Sequence, residues 1–334
     1  MKKIITFGEI MMRLSAPQNL RFAQANSLDI TYGGGEANVS ASLAQFGLPS
    51  AHITCLPAND LGKSCKAFFQ ELGVDIEHFI LKGERLGLYF LEVGAAMRAS
   101  KIVYDRADSA FAHLQPEMFD WEEILQDAQW FHWTGITAAI SENAAKACLQ
   151  ALQTARKLGV TISSDVNYRR NLWQYGKKVQ DVMPELVRLC DVVICAENDA
   201  ADIFGIKPEA PNSFVSMAQQ VMERFPQIKK VLTTRRISIS ASHNQLQGIL
   251  WNGQQYLESP ILDINPIIDR IGGGDAFMAG FIYGILQYNT EQKALDFATS
   301  ASALKHTISG DINLATVAEV EEIMQGNTSG KLLR

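Results

Sequence analysis

Short apolar runs of strand character alternate with longer amphipathic stretches along most of the chain. Lys3 to Gly8 reads as a first strand, and 37–46 as a helix of small residues, Ala37-Asn38-Val39-Ser40-Ala41-Ser42-Leu43-Ala44. Such a helix surface lets other backbone approach closely. Ala51 to Leu56 reads as a strand, and Leu61, Cys65, Phe68, Phe69 and Leu72 then fall near helical spacing. From residue 130 the alternation is regular. Strands are expected at 129–133, 160–165, 191–195 and 229–233, with helices near 142–158, 177–189 and 212–224 between them. This pattern predicts right-handed βαβ units and an α/β fold with a doubly wound, mostly parallel sheet flanked by helices. β character returns at 237–258, and helices near 275–287, 291–307 and 316–324 close the chain.

Residues 85–111 depart from that rhythm. Leu86-Gly87-Leu88-Tyr89-Phe90-Leu91 and Lys101-Ile102-Val103-Tyr104 flank a turn-like Gly94-Ala95-Ala96, which predicts a hairpin. With part of 10–32 it forms a small discontinuous β lid on a single α/β unit spanning 1–334.

The composition narrows the function. The 334 residues are 47% hydrophobic and 20% charged, enough to bury a sizeable core. The net charge is −6, and Lys and Arg are dispersed, so no basic stripe suggests nucleic acid. The longest strongly apolar stretch, Ala276 to Leu286, is too short to span a bilayer and reads as a buried helix. Glu9 and Arg13 interrupt the apolar start, which argues against a secretory signal. The five cysteines are odd in number and lack a C-x-x-C pair, and the six histidines lack H-x-x-x-H spacing. Buried thiols in a reducing cytoplasm fit better than disulfides or zinc.

Six of the 24 glycines sit in two triplets, Gly33-Gly34-Gly35 and Gly272-Gly273-Gly274. The second leads from a polar segment into an apolar helix. Backbone N–H groups at a helix start attract anions, and glycine lets a phosphate come close. Asp275 follows directly. A carboxylate beside phosphate is unfavourable unless it serves as general base for an attacking hydroxyl. Alternatively, it is only a helix cap after a loop. The first triplet is either a packing loop or a close backbone approach to a polyhydroxy ligand, with Asn38 as donor and acceptor. Two other motifs fail. Gly62-Lys63-Ser64 has Pro57 where a P-loop needs its first glycine, and neither triplet completes G-x-G-x-x-G.

Taken together, these segments resemble the ribokinase-like (PfkB) carbohydrate kinases over essentially the whole chain. The resemblance rests on Gly33-Gly34-Gly35-Glu36-Ala37-Asn38, Asn59-Asp60-Leu61-Gly62, Leu72-Gly73-Val74-Asp75, and Asp269 to Phe281. The last matches D-x-x-G-A-G-D with Gly273 in the alanine slot. Tyr104-Asp105-Arg106-Ala107-Asp108, Phe131-His132-Trp133-Thr134-Gly135, Asp165-Val166-Asn167-Tyr168-Arg169 and Ala303-Leu304-Lys305-His306-Thr307 are most similar to the kinases of 2-keto-3-deoxygluconate.

The resemblance implies ATP-dependent phosphorylation of the C6 hydroxyl of that sugar acid, with Mg²⁺ on the nucleotide. It implies Asp275 as base and Gly272, Gly273 and Gly274 as the phosphate cradle. The sugar side comprises Gly33, Gly34, Asn38, Tyr89, Tyr104, Arg106 and Arg169. Arginine forks suit the carboxylate that neutral sugars lack. Asn167, Asp199, Thr233, Gly272, Gly274 and Lys305 fall on the nucleotide side. A homo-oligomer formed through the lid is expected too. The family's N-x-x-E motif is altered, because the aligned stretch Ala196-Glu197-Asn198-Asp199 has alanine for asparagine and aspartate for glutamate. Asp199 keeps a charge on a shorter arm and suits a water-mediated role toward Mg²⁺. Asn198 or Asn167 is the candidate replacement for the lost amide.

Overall fold

A computed structural model describes residues 2–209, 211–328 and 330. In chain order its strands are β1 (Lys3–Phe7), β2 (Met11–Ser15), β3 (Asp29–Gly33), β4 (Ser50–Leu56), β5 (Phe79–Leu81), β6 (Gly87–Glu92) and β7 (Lys101–Asp105). They continue with β8 (Ala128–Thr134), β9 (Thr161–Asp165), β10 (Val192–Ile194), β11 (Lys230–Ser240), β12 (His243–Trp251), β13 (Tyr256–Glu258) and β14 (Leu262–Ile264). The helices are α1 (Gly35–Gln45), α2 (Asp60–Glu71), α3 (Trp121–Leu125), α4 (Gly135–Ile140), α5 (Glu142–Lys157) and α6 (Val179–Val187). The last five are α7 (Glu197–Phe204), α8 (Ser213–Arg224), α9 (Gly273–Gln287), α10 (Glu291–Lys305) and α11 (Val317–Met324).

The large sheet runs β13-β12-β11-β10-β9-β8-β1-β4-β5, with β14 paired to β12. From β5 to β11 every pair is parallel, and β12 to β14 add an antiparallel margin. The chain leaves β1 toward β4 and β5 on one side, and later fills β8 to β11 on the other. The sheet order therefore reverses between β1 and β8. Alternate strand residues feed two apolar layers: Ile5, Phe7, Phe131 and Trp133 pack on one face, and Ile4 and Trp130 on the other.

The expected elements from β1 to α11 are present. Leu61, expected on the apolar face of α2, is instead exposed. The short helices α3, α4 and α7 were not foreseen, being too brief to show a period.

Two helices position the functional face. α1 consists largely of small residues, α9 is apolar with glycines at intervals, and both begin at a glycine triplet. On α9, a Cβ at Gly284 would lie 2.5 Å from the Ala294 backbone of α10, and one at Gly280 would lie 2.8 Å from that of Ala298. The absence of side chains there lets the two helices touch and fixes where α9 begins.

The second sheet is the lid, in the order β3-β2-β6-β7. It is built from the two separate segments expected, and β6 and β7 form the expected hairpin. Its outer face carries an apolar hollow lined by Leu14, Phe22, Leu28, Ile30, Phe90 and Val103. The five cysteines are free and buried, and no described helix is long and apolar enough to cross a membrane.

Candidate active site

A cavity of about 750 Å³ lies between the inner face of the lid and the carboxyl ends of the parallel strands. Glu9 follows β1, Ile136 follows β8, Asp165 ends β9, Ala196 and Asp199 follow β10, and Thr233 lies on β11. Carboxyl ends at a reversal of strand order are where open α/β sheets leave a crevice for ligands. Strand order also sets positions along that crevice, with Glu9 and the lid toward one end and Thr233 toward the other.

The glycine triplets straddle the starts of α1 and α9. Gly272, the N-cap of α9, has φ +79°, and no side chain caps this helix. A Cβ on Gly272 would lie 1.9 Å from the Asp311 carbonyl oxygen, so glycine is required there by backbone and packing alike. Gly273 is buried and does not line the cavity; its N–H points to the Arg270 carbonyl at 3.5 Å. That corrects its placement in the cradle. Its side of the loop faces His306, whose ring would sit 2.6 Å from an alanine Cβ, which explains glycine in the alanine slot. Gly274 is different. It is exposed, it lines the cavity, and a Cβ there would meet nothing. The protein's own packing does not demand glycine at this position, whereas a close-bound anion would.

Asp275, in the first turn of α9, opens onto the cavity. Asn38 Nδ2 donates to its Oδ2 at 2.7 Å across 237 residues of chain. Burial pushes the carboxyl up to about 7; the Asn38 hydrogen bond opposes this, while Asp311 and Glu36 add to it. Both ends of the Asn38 amide are engaged, since its Oδ1 accepts from Gly34 N–H at 3.2 Å. Gly33 and Gly34 line the cavity, but both are also packed tightly against protein. A Cβ on Gly33 would strike the Asp311 carboxylate, and one on Gly34 the Glu9 carbonyl.

The lid side is aromatic and cationic. The rings of Tyr89 and Tyr104 lie 6.0 Å apart, and Arg106 sits over Tyr104 at 5.9 Å. Arg106 is already paired: its Nε donates to Glu9 Oε2 at 2.9 Å and its Nη2 donates to the same oxygen. The Nη1 group stays outside that pair. Tyr89 lines the cavity, but its hydroxyl donates to Asp311, so it meets a ligand as a wall and an acceptor. Arg169 is exposed at the cavity beside Asp165 and Asp199, whose charges it offsets.

Toward β11 the cavity is lined by Asn167, Asp165, Asp199, Thr233, Arg236 and Arg270. Burial, then Asp275 and Asp199, push the Asp165 carboxyl up to about 7. Asn167 holds φ +39° and donates to Asp165 at 3.2 Å. Of the two asparagines considered for the missing amide, Asn167 lines the cavity and Asn198 does not. Arg236 is exposed, yet crowding by nearby protein and the neighbouring Arg270 lower its guanidinium below its ordinary range. Lys305 lies elsewhere than expected. It is fully buried behind the glycine loop, and its Nζ donates to the Ile308 carbonyl at 3.0 Å. It supports the loop from beneath, because α10 carries it inward against α9.

Sequence reading passed over Glu9, Asp165 and Arg270 as site residues. Asp165 and Arg270 stood in quoted motifs and could have been found there. Glu9 carries only the signal of directly following a strand.

A deep crevice with an uncapped helix start, a carboxyl poised near neutrality and flanking arginines defines a phosphoryl-transfer type of site. The comparisons agree. Residues 1–317 match the pfkB family of carbohydrate kinases, and the chain belongs to that family. A 2-dehydro-3-deoxygalactonokinase of Haloferax volcanii is 31% identical, with 98% of each chain covered. The crystal structure of a 2-dehydro-3-deoxygluconokinase from Thermotoga maritima shares 41% identity and a TM-score of 0.93, covering 97% of this chain and 98% of that one. A pfkB family carbohydrate kinase from Listeria grayi shares 36% identity and a TM-score of 0.92, covering 97% and 100%.

The glycine geometry gives a paired prediction. Gly274→Ala should leave the melting temperature within about 2 °C, yet lower kcat/KM for nucleotide at least ~10-fold, because the added methyl group keeps the phosphate away from the backbone N–H groups, and one such donor contributes on that order or more. Gly272→Ala should lower the melting temperature by several degrees, as strain and overpacking of about 1–3 kcal/mol require. Thermal unfolding and steady-state kinetics on both variants check this, and equal behaviour of the two would contradict it.

Proposed function

We propose that this kinase transfers the γ-phosphoryl group of ATP to the C6 hydroxyl of 2-keto-3-deoxygluconate, also called 2-dehydro-3-deoxygluconate. One observation carries the reading. Asp275 opens onto the cavity at an uncapped helix start, beside a glycine that packing does not require, with arginines on both sides. The name of the Thermotoga relative supports the choice of substrate.

In this reading the sugar lies under the lid against Tyr89 and Tyr104, with Arg106 and Arg169 toward its carboxylate. Glu9 holds the Nε edge of Arg106 and leaves Nη1 for the ligand. The C6 oxygen faces Asp275. As that oxygen bonds to the γ-phosphorus, its proton passes to the Asp275 carboxylate, and the bond from the γ-phosphorus to the β–γ bridging oxygen breaks, releasing ADP. The backbone at Gly272 and Gly274 and the α9 dipole favour the charge on the moving group. Arg236 and Arg270 face the remaining phosphates. No covalent enzyme intermediate is needed.

Mg²⁺ suits the residues present. Asp165 and Asp199 are hard oxygen donors on the nucleotide side, and burial, only partly offset by Arg169, pushes up the carboxyls of both. Mg²⁺ needs only one or two carboxylates beside nucleotide phosphates. Bound there, it would supply positive charge to the phosphates. The buried free thiols support a cytoplasmic setting. The apolar hollow on the outer lid face, with Ile30 and Val103 exposed, supports pairing of two lids into a homo-oligomer. Sedimentation at micromolar concentration should show a dimer or larger species, and a Val103→Glu variant should be monomeric; a wild-type monomer would contradict it.

A substrate panel with ATP tests the assignment. 2-Keto-3-deoxygluconate and its C4 epimer should exceed fructose and ribose in kcat/KM by at least ~10³-fold, the discrimination expected when buried polar groups are left unpaired by the wrong ligand. Equal turnover of a neutral sugar would overturn it.

A further inference from the structure

A buried charge cluster joins the lid to the glycine loop, and the reaction described above does not use it. Arg13, on lid strand β2, is 3% exposed. Its Nη1 donates to Asp311 Oδ1 at 2.9 Å, its Nη2 to Asp269 Oδ2 at 2.5 Å, and its Nε to Ser15 Oγ at 2.6 Å. Asp269 and Asp311 are equally buried.

Each carboxylate also grips backbone or neighbouring groups near the loop. Asp269 Oδ1 accepts Ile271 N–H, and its Oδ2 accepts Gly310 N–H, both at 3.0 Å. The Asp311 carbonyl occupies the space a Gly272 side chain would need, and its carboxylate takes the Tyr89 hydroxyl from the lid. Lys305 lies alongside, with its Nζ on the Ile308 carbonyl.

The tip of the lid reaches the same segment by another route. Ala241 N–H donates to the Ala96 carbonyl at 2.7 Å, and Ala96 N–H to Ser242 Oγ at 3.2 Å. Arg270 holds that turn through the carbonyls of Ser240 at 2.6 Å and Ala241 at 3.2 Å. Asp269 and Arg270, just ahead of Gly272, are thus tied to the lid at its base and its tip.

Moving β2 away would leave two buried carboxylates without their main cation, an unfavourable state unless the loop rearranges as well. Lid position and loop shape are therefore energetically linked. We propose that Arg13 is a positioning residue that couples closure of the lid over the sugar to the shape of the Gly272–Gly274 loop. This rests on the reading that sugar lies under the lid and nucleotide phosphate at the loop. Coupling between sites is reciprocal, so either ligand should report it.

Hydrogen–deuterium exchange on the full chain tests it with two probes, ADP alone and 2-keto-3-deoxygluconate alone, each at a concentration shown by calorimetry to saturate. In the wild type, ADP should slow amide exchange in β2 and at 94–97 by at least ~5-fold, and the sugar acid should slow exchange at 270–274 similarly, in the usual range of coupling. Arg13→Lys keeps the charge but lacks the rigid planar fork whose two Nη groups hold the two carboxylates apart. It should bind each ligand and lose both remote effects, with kcat falling more than either KM rises.

Wild-type protein that binds ADP without slower exchange in the lid overturns the proposal, whether or not the variant folds. So does an Arg13→Lys variant that is less stable yet keeps both remote effects, because Arg13 would then be only structural. Failure of the sugar acid to bind, with the ADP effect on the lid present, overturns the substrate assignment and leaves the coupling supported.

Discussion

The hydrogen bond from Asn38 to Asp275 joins the starts of two helices from opposite ends of the chain. It sets the orientation of the carboxyl that faces the cavity, and much of the fold serves to make it possible. The reversal of strand order between β1 and β8 opens the crevice. Gly280 and Gly284 let α9 lie against α10, which fixes where α9 begins. Glu36, in the first turn of α1 two residues before Asn38, accepts hydrogen bonds from Thr134 and Thr137 and anchors α1 to the end of β8. Losing any of these contacts would move one carboxyl relative to one loop.

Charge placement follows from this geometry. A carboxyl at an anion-attracting helix start, shielded from water, titrates near neutrality rather than near 4. A base of that strength can accept a proton and release it again at cellular pH. Arginines lie on both flanks, while Asp165 and Asp199 form an acidic pole that suits a divalent cation. The glycines divide accordingly. Gly33, Gly34, Gly272 and Gly273 are required by the protein's own packing, and Gly274 is left for a ligand.

The strand–helix alternation was legible because burial on both sheet faces imposes a period on the sequence. The lid was legible as a break in that period. Asp275, Gly274 and the two tyrosines were legible because their motifs are local. What escaped depends on contacts between distant segments. Nothing near Arg106 shows that Glu9 neutralises it, nothing near Tyr89 shows that its hydroxyl donates to Asp311, and nothing near Lys305 shows that it turns inward. Arg13 read as an interruption of an apolar run, yet it ties together residues about 300 positions apart through one guanidinium.

The claim that Asp275 takes the hydroxyl proton is tested most directly by the pH dependence of kcat/KM for phosphoryl transfer, in wild type and Asp275→Asn. The raised carboxyl must be ionised to act, so wild-type activity should rise with pH, with a midpoint near 7, and then level off. Asp275→Asn should bind ligands nearly as well, lose at least ~10²-fold in turnover, and show no such rise. A variant within ten-fold of wild type that keeps the same pH dependence would contradict the account.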